Sequence, residues 1–177
     1  MRSLKAQLED KNLREVSLSA MQFAKKNNIK ISIDLGDPGI VSRKKQDIMN
    51  IIKEYADIIF ANEDEAKALT GLEPLEALNK ISEMTDIAIV KIGKEGSFIK
   101  KDGIIYEIKG CKVKAVDTTG AGDMFAAGVL YGLIKNYNLK VCGNIGSYFA
   151  AKVCEKIGAR LDDIDKKEVE KLINNGN

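Results

Sequence analysis

The residues with the clearest chemical potential form one short segment of the chain, Asp117-Thr118-Thr119-Gly120-Ala121-Gly122-Asp123. Small residues at 120–122 let the backbone turn tightly and present several N–H groups to one point. Because a predicted helix begins there, its dipole also favours an anion. Asp123 falls in the first turn of that helix. A carboxylate beside an anion hole is suited to take a proton from a hydroxyl that attacks a phosphoryl group.

A purely structural interpretation of this segment stays open. It could be an ordinary turn, with Asp123 as a carboxylate that the helix dipole stabilises. Two observations favour the chemical interpretation. The run 124–134 is apolar on nearly every side, so we expect that helix to be buried. A carboxylate at the mouth of a buried helix is costly unless it has a partner or a function.

The segment 117–123 and its continuation Met-Phe-Ala-Ala-Gly at 124–128 resemble the C-terminal signature of the PfkB (ribokinase-like) family of carbohydrate and nucleoside kinases. The resemblance implies that Asp123 is the catalytic base. It also implies that the backbone of Gly120, Ala121 and Gly122 forms the anion hole for the transferring phosphoryl group. The phosphate donor would be ATP, and the fold would be ribokinase-like.

A second candidate segment, Asn62-Glu63-Asp64-Glu65, follows an apolar run and opens a predicted helix. Three acidic residues in a first turn suit the helix dipole, and this structural explanation stays open. The functional alternative is an asparagine and a carboxylate that hold a hydrated Mg²⁺ near phosphates. The pattern Asn-x-x-Glu resembles a second motif of the family. The resemblance assigns Asn62 and Glu65 to Mg²⁺, through water because this ion keeps most of its waters.

A third segment, Lys-Ile-Gly-Lys-Glu-Gly at 91–96, has the composition of a glycine-containing turn between strands. It also resembles the family's Thr-x-Gly-x-x-Gly, which lines the phosphates and ribose of ATP. Gly93 and Gly96 match that motif, whereas Lys91 replaces the threonine. A lysine can reach a phosphate as a point charge. By resemblance, the residues in contact with the nucleotide are Asn62, Lys91, Gly93, Gly96 and Thr118.

The predicted helix around 148–157, followed by Gly158 and Ala159, is similar to the family's closing segment. In relatives this segment packs on the nucleotide. Nearby carbonyls hold a monovalent cation together with the region that corresponds to Asp117 and Thr119. The resemblance therefore adds K⁺ to ATP and Mg²⁺ as a candidate cofactor. The structural alternative is an apolar packing helix that a glycine terminates.

Helical and strand patterns alternate along the chain, which predicts an α/β fold with a largely parallel sheet and helices on both faces. Asp102-Gly103 predicts an antiparallel hairpin at one edge. Ligands of such sheets bind at the carboxyl ends of the strands, where all three candidate segments fall. The pattern predicts helices at about 4–26, 42–55, 62–69, 74–84, 124–134, 139–157 and 166–173, and strands at about 29–34, 58–61, 87–92, 97–100, 104–108 and 113–116.

The composition excludes several classes of protein. The net charge of +2 gives no reason to expect nucleic acid or a membrane as the main partner. The chain has no histidine, which excludes a Ser-His-Asp triad and any His-ligated metal. Three cysteines without a CxxC pair argue against a disulfide framework. No apolar leader or membrane-length run is present in the sequence, so we expect a cytoplasmic protein.

The resemblance covers nearly all of the 177 residues but only the C-terminal half of a family kinase. We therefore expect residues 1–177 to be the C-terminal part of a PfkB-type kinase domain, without the N-terminal half and the small β lid. One expected function is transfer of the γ-phosphoryl group to a primary alcohol of a small-molecule sugar or nucleoside. The alternative is an inactive remnant or nucleotide-binding module that needs a separate N-terminal half. A homo-oligomer is also open.

The stretches 34–41, 55–62 and 139–160 look most similar to bacterial adenosine-kinase-like members of the family. In those relatives an aromatic residue usually follows the proline of the first stretch and contacts the nucleoside base. Gly39 follows Pro38 in this chain. The sequence therefore leaves the choice between a sugar and a nucleoside open.

Overall fold

The computed structural model describes residues 11–174 of the chain. Five strands form one sheet in the order β1-β2-β3-β4-β5. β1 and β2 pair in parallel, as do β2 and β3, whereas a tight turn at Asp102 and Gly103 joins β4 and β5. The α/β fold with parallel strands and an edge hairpin is thus confirmed. The elements are α1 (Lys11–Lys26), β1 (Ser32–Asp34), α2 (Pro38–Arg43), α3 (Lys45–Tyr55), β2 (Ile58–Asn62), α4 (Glu63–Thr70), α5 (Pro74–Ser82), β3 (Ile87–Lys91), β4 (Gly96–Lys101), β5 (Ile104–Lys109), α6 (Ala121–Ile134), α7 (Leu139–Cys154) and α8 (Lys166–Asn174).

The chain divides into two compact units. Within the described residues, unit 1 runs to Lys91 and includes Lys100–Ile105, and unit 2 consists of Ile92–Ile99 and the chain from Tyr106 onward. In unit 1, the first four residues of β2 and of β3 are buried, as expected for the interior of a parallel sheet. The register pairs Asn62 with Lys91. Polar side chains therefore lie next to each other at the carboxyl ends of these two strands.

In unit 2, small residues allow α6 and α7 to pack with their backbones in close contact. A Cβ atom on Gly128 would lie 2.7 Å from the Cα of Gly146, and one on Gly146 would lie 2.8 Å from the carbonyl oxygen of Phe125. The side chains of Ile99 and Ile108 pack where Gly143 leaves room on α7. The packing of small residues on α7 thus fixes the helix that begins at the segment 117–123.

Local boundaries differ from the prediction at four places. β1 begins at Ser32 and not at about residue 29. Ser42 does not cap a helix but lies inside α2, which begins at Pro38 because the Asp37 side chain accepts the Ile40 N–H at 2.8 Å. No strand forms at 113–116, where the Val116 N–H donates to the carbonyl of Cys154 at 2.7 Å instead. The helix expected to run to 157 ends at Cys154. The part of the first predicted helix before residue 11 lies outside the described residues.

The helix α6 is less buried than its apolar sequence predicts. Phe125 and Val129 are buried, but Ile134 is 79% exposed and Tyr131 is 39% exposed. Ala127, Tyr131 and Ile134 follow helical spacing and share the exposed face. The expectation of burial all round this helix was therefore wrong. Between residues 11 and 174, no helix is long and apolar enough to cross a lipid bilayer.

Candidate active site

The first site feature in unit 1 is a capping box at the start of α4. Asn62 Oδ1 accepts the Glu65 N–H at 2.8 Å, and Glu65 Oε2 accepts the Asn62 N–H at 2.8 Å. Glu65 Oε1 also accepts from Asn62 Nδ2 at 3.0 Å. Both predicted Mg²⁺ residues are thus brought together, but the carboxylate of Glu65 already binds two N–H groups of Asn62 and one of Gly36.

Burial makes Glu65 an unusual helix cap. Only 3% of this residue is exposed to solvent. Burial raises the pKa of Glu65, and the nearby charge of Asp34 raises it further, whereas N–H groups of Asn62 and Gly36 and the charge of Lys91 act against that rise. Asp34 and Lys91, at the carboxyl ends of β1 and β3, therefore have opposite effects on the pKa of Glu65.

Lys91 makes an ion pair that the sequence does not indicate. Its Nζ atom donates to Asp34 Oδ2 at 2.8 Å, and the side chains are 16% and 32% exposed. β2 lies between β1 and β3 in the sheet. The lysine side chain therefore crosses the carboxyl end of β2, beside the capping box. The residue predicted to reach a phosphate is held by a carboxylate of its own unit.

In unit 2, the predicted anion hole falls at the start of α6, where Gly120 directly precedes the helix. Gly120 adopts a left-handed conformation with φ of 81°, and no side chain caps the helix that follows. The Ala121 N–H donates to the Thr118 carbonyl at 3.1 Å, so this group is engaged in the turn. The next N–H groups, beginning with Gly122, have no partner within the helix. The open helix start is the feature that an anion would occupy.

Asp123 lies in the first turn of α6, as predicted, but its side chain is exposed. The argument that burial makes this carboxylate costly is therefore wrong. Among the residues that the structure describes, Asp123 forms no ion pair or side-chain hydrogen bond. An exposed, unpaired carboxylate is free to accept a proton from an incoming hydroxyl.

Asp117 fastens the loop that leads into this helix. Its Oδ1 atom accepts the Thr119 N–H at 2.9 Å and the Thr119 hydroxyl at 2.7 Å, and its Oδ2 atom accepts the Gly158 N–H at 3.0 Å. A Cβ atom on Gly120 would lie 2.7 Å from the Cα of Ala159. The loop and the segment after α7 are therefore locked together by one carboxylate and one glycine contact.

Three hydrogen bonds to the ionised form, of which the Gly158 N–H contributes most, lower the pKa of Asp117 from 3.8 to about 2. Because the folded-state pKa lies below the unfolded one, the stabilisation is complete above about pH 4 and is lost as the pH falls towards about 2.

We expect Asp117→Asn to destabilise the chain at neutral pH and to match the wild type at low pH. Urea unfolding of both proteins from pH 7 to pH 2 tests this, and a difference that does not change with pH contradicts it.

The glycines of the third segment are positioned by a backbone contact within unit 2. Gly96 has φ of 120°, and a Cβ atom there would lie 1.9 Å from the carbonyl oxygen of Ile108. A Cβ atom on Gly110 would lie 2.0 Å from the carbonyl oxygen of Lys94, and the Gly110 N–H donates to the Glu95 carbonyl at 3.0 Å. Gly93, with φ of 57°, opens a single 3₁₀ turn. The turn is therefore fixed by protein contacts alone.

Sequence reasoning missed two residues that support these segments. Asp34 pairs with Lys91, and Gly110 packs on the turn at 93–96. The signals were present but weak. Asp34 ends a strand, and Gly110 directly follows one. Within residues 11–174, no group of three or more His, Cys, Asp or Glu side chains is arranged to hold a metal ion.

The sequence profile described as the pfkB family carbohydrate kinase matches residues 4–167. That match covers most of the chain, including all three candidate segments. The chain belongs to the PfkB family of carbohydrate kinases. The family assignment made from the motif residues is confirmed.

Several sugar and adenosine kinases are similar to this chain. An uncharacterised sugar kinase of Archaeoglobus fulgidus is 40% identical over 127 residues, which cover 70% of this chain and 50% of the relative. The crystal structure of a probable sugar kinase from Rhizobium etli is 32% identical, with a TM-score of 0.82 over 87% of this chain and 48% of the other. Adenosine kinase from Sinorhizobium meliloti is 28% identical, with a TM-score of 0.82 over 85% and 47%. The chain therefore spans about half the length of these relatives.

Proposed function

We propose that this chain is the nucleotide-binding and catalytic-base portion of an ATP-dependent phosphotransferase. The observation that carries the proposal is the uncapped start of α6, where left-handed Gly120 precedes the helix and the carboxylate of Asp123 is exposed and unpaired. Kinase relatives that share the fold support the same assignment. The proposed domain is the whole chain, as the C-terminal part of a PfkB-type kinase domain.

The proposed mechanism uses the two features of the α6 start. Asp123 accepts the proton of a primary alcohol on a sugar or nucleoside as its oxygen attacks the γ-phosphorus of ATP. Backbone N–H groups at Gly120 and Gly122 stabilise the negative charge on the transferring phosphoryl group. The N–H of Ala121, predicted for the same role, donates to the Thr118 carbonyl instead. The helix dipole adds to that stabilisation. The loop fastened by Asp117 keeps the hole in shape before the substrate arrives.

The nucleotide and its ions are assigned to the remaining motif residues. Asn62 and Lys91 are the proposed nucleotide contacts of unit 1. Gly93, Gly96 and Thr118 are those proposed for unit 2. Mg²⁺ supplies charge neutralisation at the phosphates. Asn62 and Glu65 would hold it through water, since N–H groups of Asn62 and Gly36 take three of the about four acceptor sites of the Glu65 carboxylate. Asp117 and Thr119 are the proposed side chains near a K⁺ ion.

A second candidate function is a non-catalytic nucleotide-binding module. It is favoured by the observation that the chain spans about half the length of its kinase relatives. Catalysis requires both reactants to be held together. Under this alternative, transfer occurs only with a separate N-terminal half. The proposed partners in both cases are ATP and a small-molecule sugar or nucleoside, and the proposed location is the cytoplasm.

Mg·ATP should raise the melting temperature of the chain, because a ligand that binds only the folded state stabilises that state. We expect a shift that increases with ATP concentration in the millimolar range. Differential scanning fluorimetry measures it, with Mg²⁺ alone and inorganic phosphate as matched additions. The absence of any shift in a folded sample contradicts the proposed nucleotide site.

A further inference from the structure

The ion pair between Lys91 and Asp34 lies at the carboxyl ends of the strands, where ligands of parallel α/β folds bind. Both residues end strands, and Lys91 immediately precedes the turn at 93–96. The pair is only partly shielded, with 16% of the lysine side chain and 32% of the aspartate side chain exposed. An incoming anion can therefore reach the lysine ammonium group without unfolding of the strands.

We propose that Asp34 is a built-in competitor for the phosphate that Lys91 binds. In the ligand-free chain the carboxylate of Asp34 holds the Lys91 ammonium group, and a polyphosphate must take its place. This inference rests on the proposed nucleotide-binding function and names one residue that sets its affinity. Asp34 then selects for ligands with several phosphate charges, since a single weak anion does not displace a carboxylate at 2.8 Å.

The surroundings of the pair support an exchange of partners. The other carboxylate near Lys91 is that of Glu65, which is 3% exposed and binds N–H groups of Asn62 through both oxygens. Asp34 accepts a side-chain hydrogen bond only from Lys91 among the described residues. Lysine is a flexible point charge whose four-carbon stem lets its ammonium group change partner. Asp34 is therefore the group that a phosphate would replace, while Glu65 remains in its capping box.

The test is a set of charge-matched variants titrated with inorganic tripolyphosphate in a calorimeter. Asp34→Asn should bind tripolyphosphate about two- to fivefold more tightly than the wild type, towards the upper end of what one partly exposed charge pair supplies. Lys91→Met should bind more weakly. In the double variant the gain from Asp34→Asn should disappear, because the lysine it releases is absent. Asp34→Ser serves as a second variant that keeps a small polar side chain.

The control variant is Asp86→Asn, which removes the same charge at the opposite end of the strands, where Lys30 pairs with both Asp86 and Asp57. Asp86 Oδ2 accepts from Lys30 Nζ at 3.0 Å, just before β3 begins. We expect this variant to bind tripolyphosphate like the wild type. An equal gain in Asp86→Asn, a gain that persists in the double variant, or no gain in either Asp34 variant overturns the proposal. A wild type and variants that all fail to bind tripolyphosphate overturn it as well.

The same series titrated with Mg·ATP separates this inference from the proposed function. If tripolyphosphate follows the expected order and Mg·ATP does not bind, the competition by Asp34 stands and the ATP assignment fails. If Mg·ATP binds and no Asp34 variant changes the affinity, the proposed function stands and the competition is refuted.

Discussion

Asp123→Asn should remove most of the phosphoryl transfer that this chain supports once it is combined with the rest of a kinase domain. A positioned general base contributes about 10²–10⁴-fold to the rate, and the amide of asparagine cannot accept the substrate's proton. We expect kcat to fall by that factor. The KM for ATP should change little, because asparagine is nearly isosteric and the proposed anion hole is formed by backbone. A coupled assay of ADP release measures both constants.

The matched control for this substitution is Asp47→Asn. Asp47 is the third residue of α3, as Asp123 is of α6, so each carboxylate lies in the first turn of a helix. Asp47 also pairs with Arg14 at 3.4 Å. Asp47→Asn should leave kcat unchanged and cost about 1 kcal/mol of stability for the dipole and the pair together. If Asp123→Asn keeps activity within roughly threefold of the wild type, well short of the range for a general base, Asp123 is a helix-start residue and not the base.

Gly96→Ala should be among the most destabilising single substitutions in the chain. Its new Cβ atom would lie 1.9 Å from the carbonyl oxygen of Ile108, and the φ of 120° is unfavourable for alanine. The obstacle is backbone, which cannot move aside as a flexible side chain does. We expect a loss of about 3 kcal/mol in the free energy of unfolding, at the upper end of ordinary substitutions.

Gly103→Ala provides the control, since it lies in the turn of the adjacent hairpin with φ of 78°, and a Cβ atom there would have no neighbouring atom within 4 Å. Its cost should be only the backbone preference, about 1 kcal/mol. Urea denaturation of the two variants measures the difference. Equal losses in the free energy of unfolding would mean that the close backbone contact of Gly96 with Ile108 and Gly110 does not hold the turn at 93–96.

Features set by neighbouring residues were predictable from the sequence. Asn62 caps α4 and Gly71, with φ of 82°, ends it, because both effects act within one helical turn. The Asp102-Gly103 turn is predictable for the same reason. Where two local signals compete, the pattern misleads. The glycines around Pro38 favour a loop, yet proline at a helix start with Asp37 as its cap begins α2.

Features that depend on distant contacts were not predictable in this way. The Lys91–Asp34 pair joins residues 57 positions apart, and the contact of Gly96 with Ile108 depends on how the hairpin returns. Burial of α6 was overestimated because an apolar sequence shows which faces of a helix could be buried. It does not show which of these faces other elements actually cover. The same error led to the argument that a carboxylate at the start of this helix is costly. PfkB membership, which the motif residues predicted, is confirmed.

The central claim is that this chain contains a nucleotide site of the PfkB type, and a calorimetric titration of Mg·ATP into the chain tests it most directly. We predict saturable binding at one site, with a dissociation constant in the range of about 1 μM–1 mM typical of enzyme substrates. The sample is first shown by circular dichroism to be folded. If millimolar Mg·ATP then gives no heat of binding, the claim is contradicted.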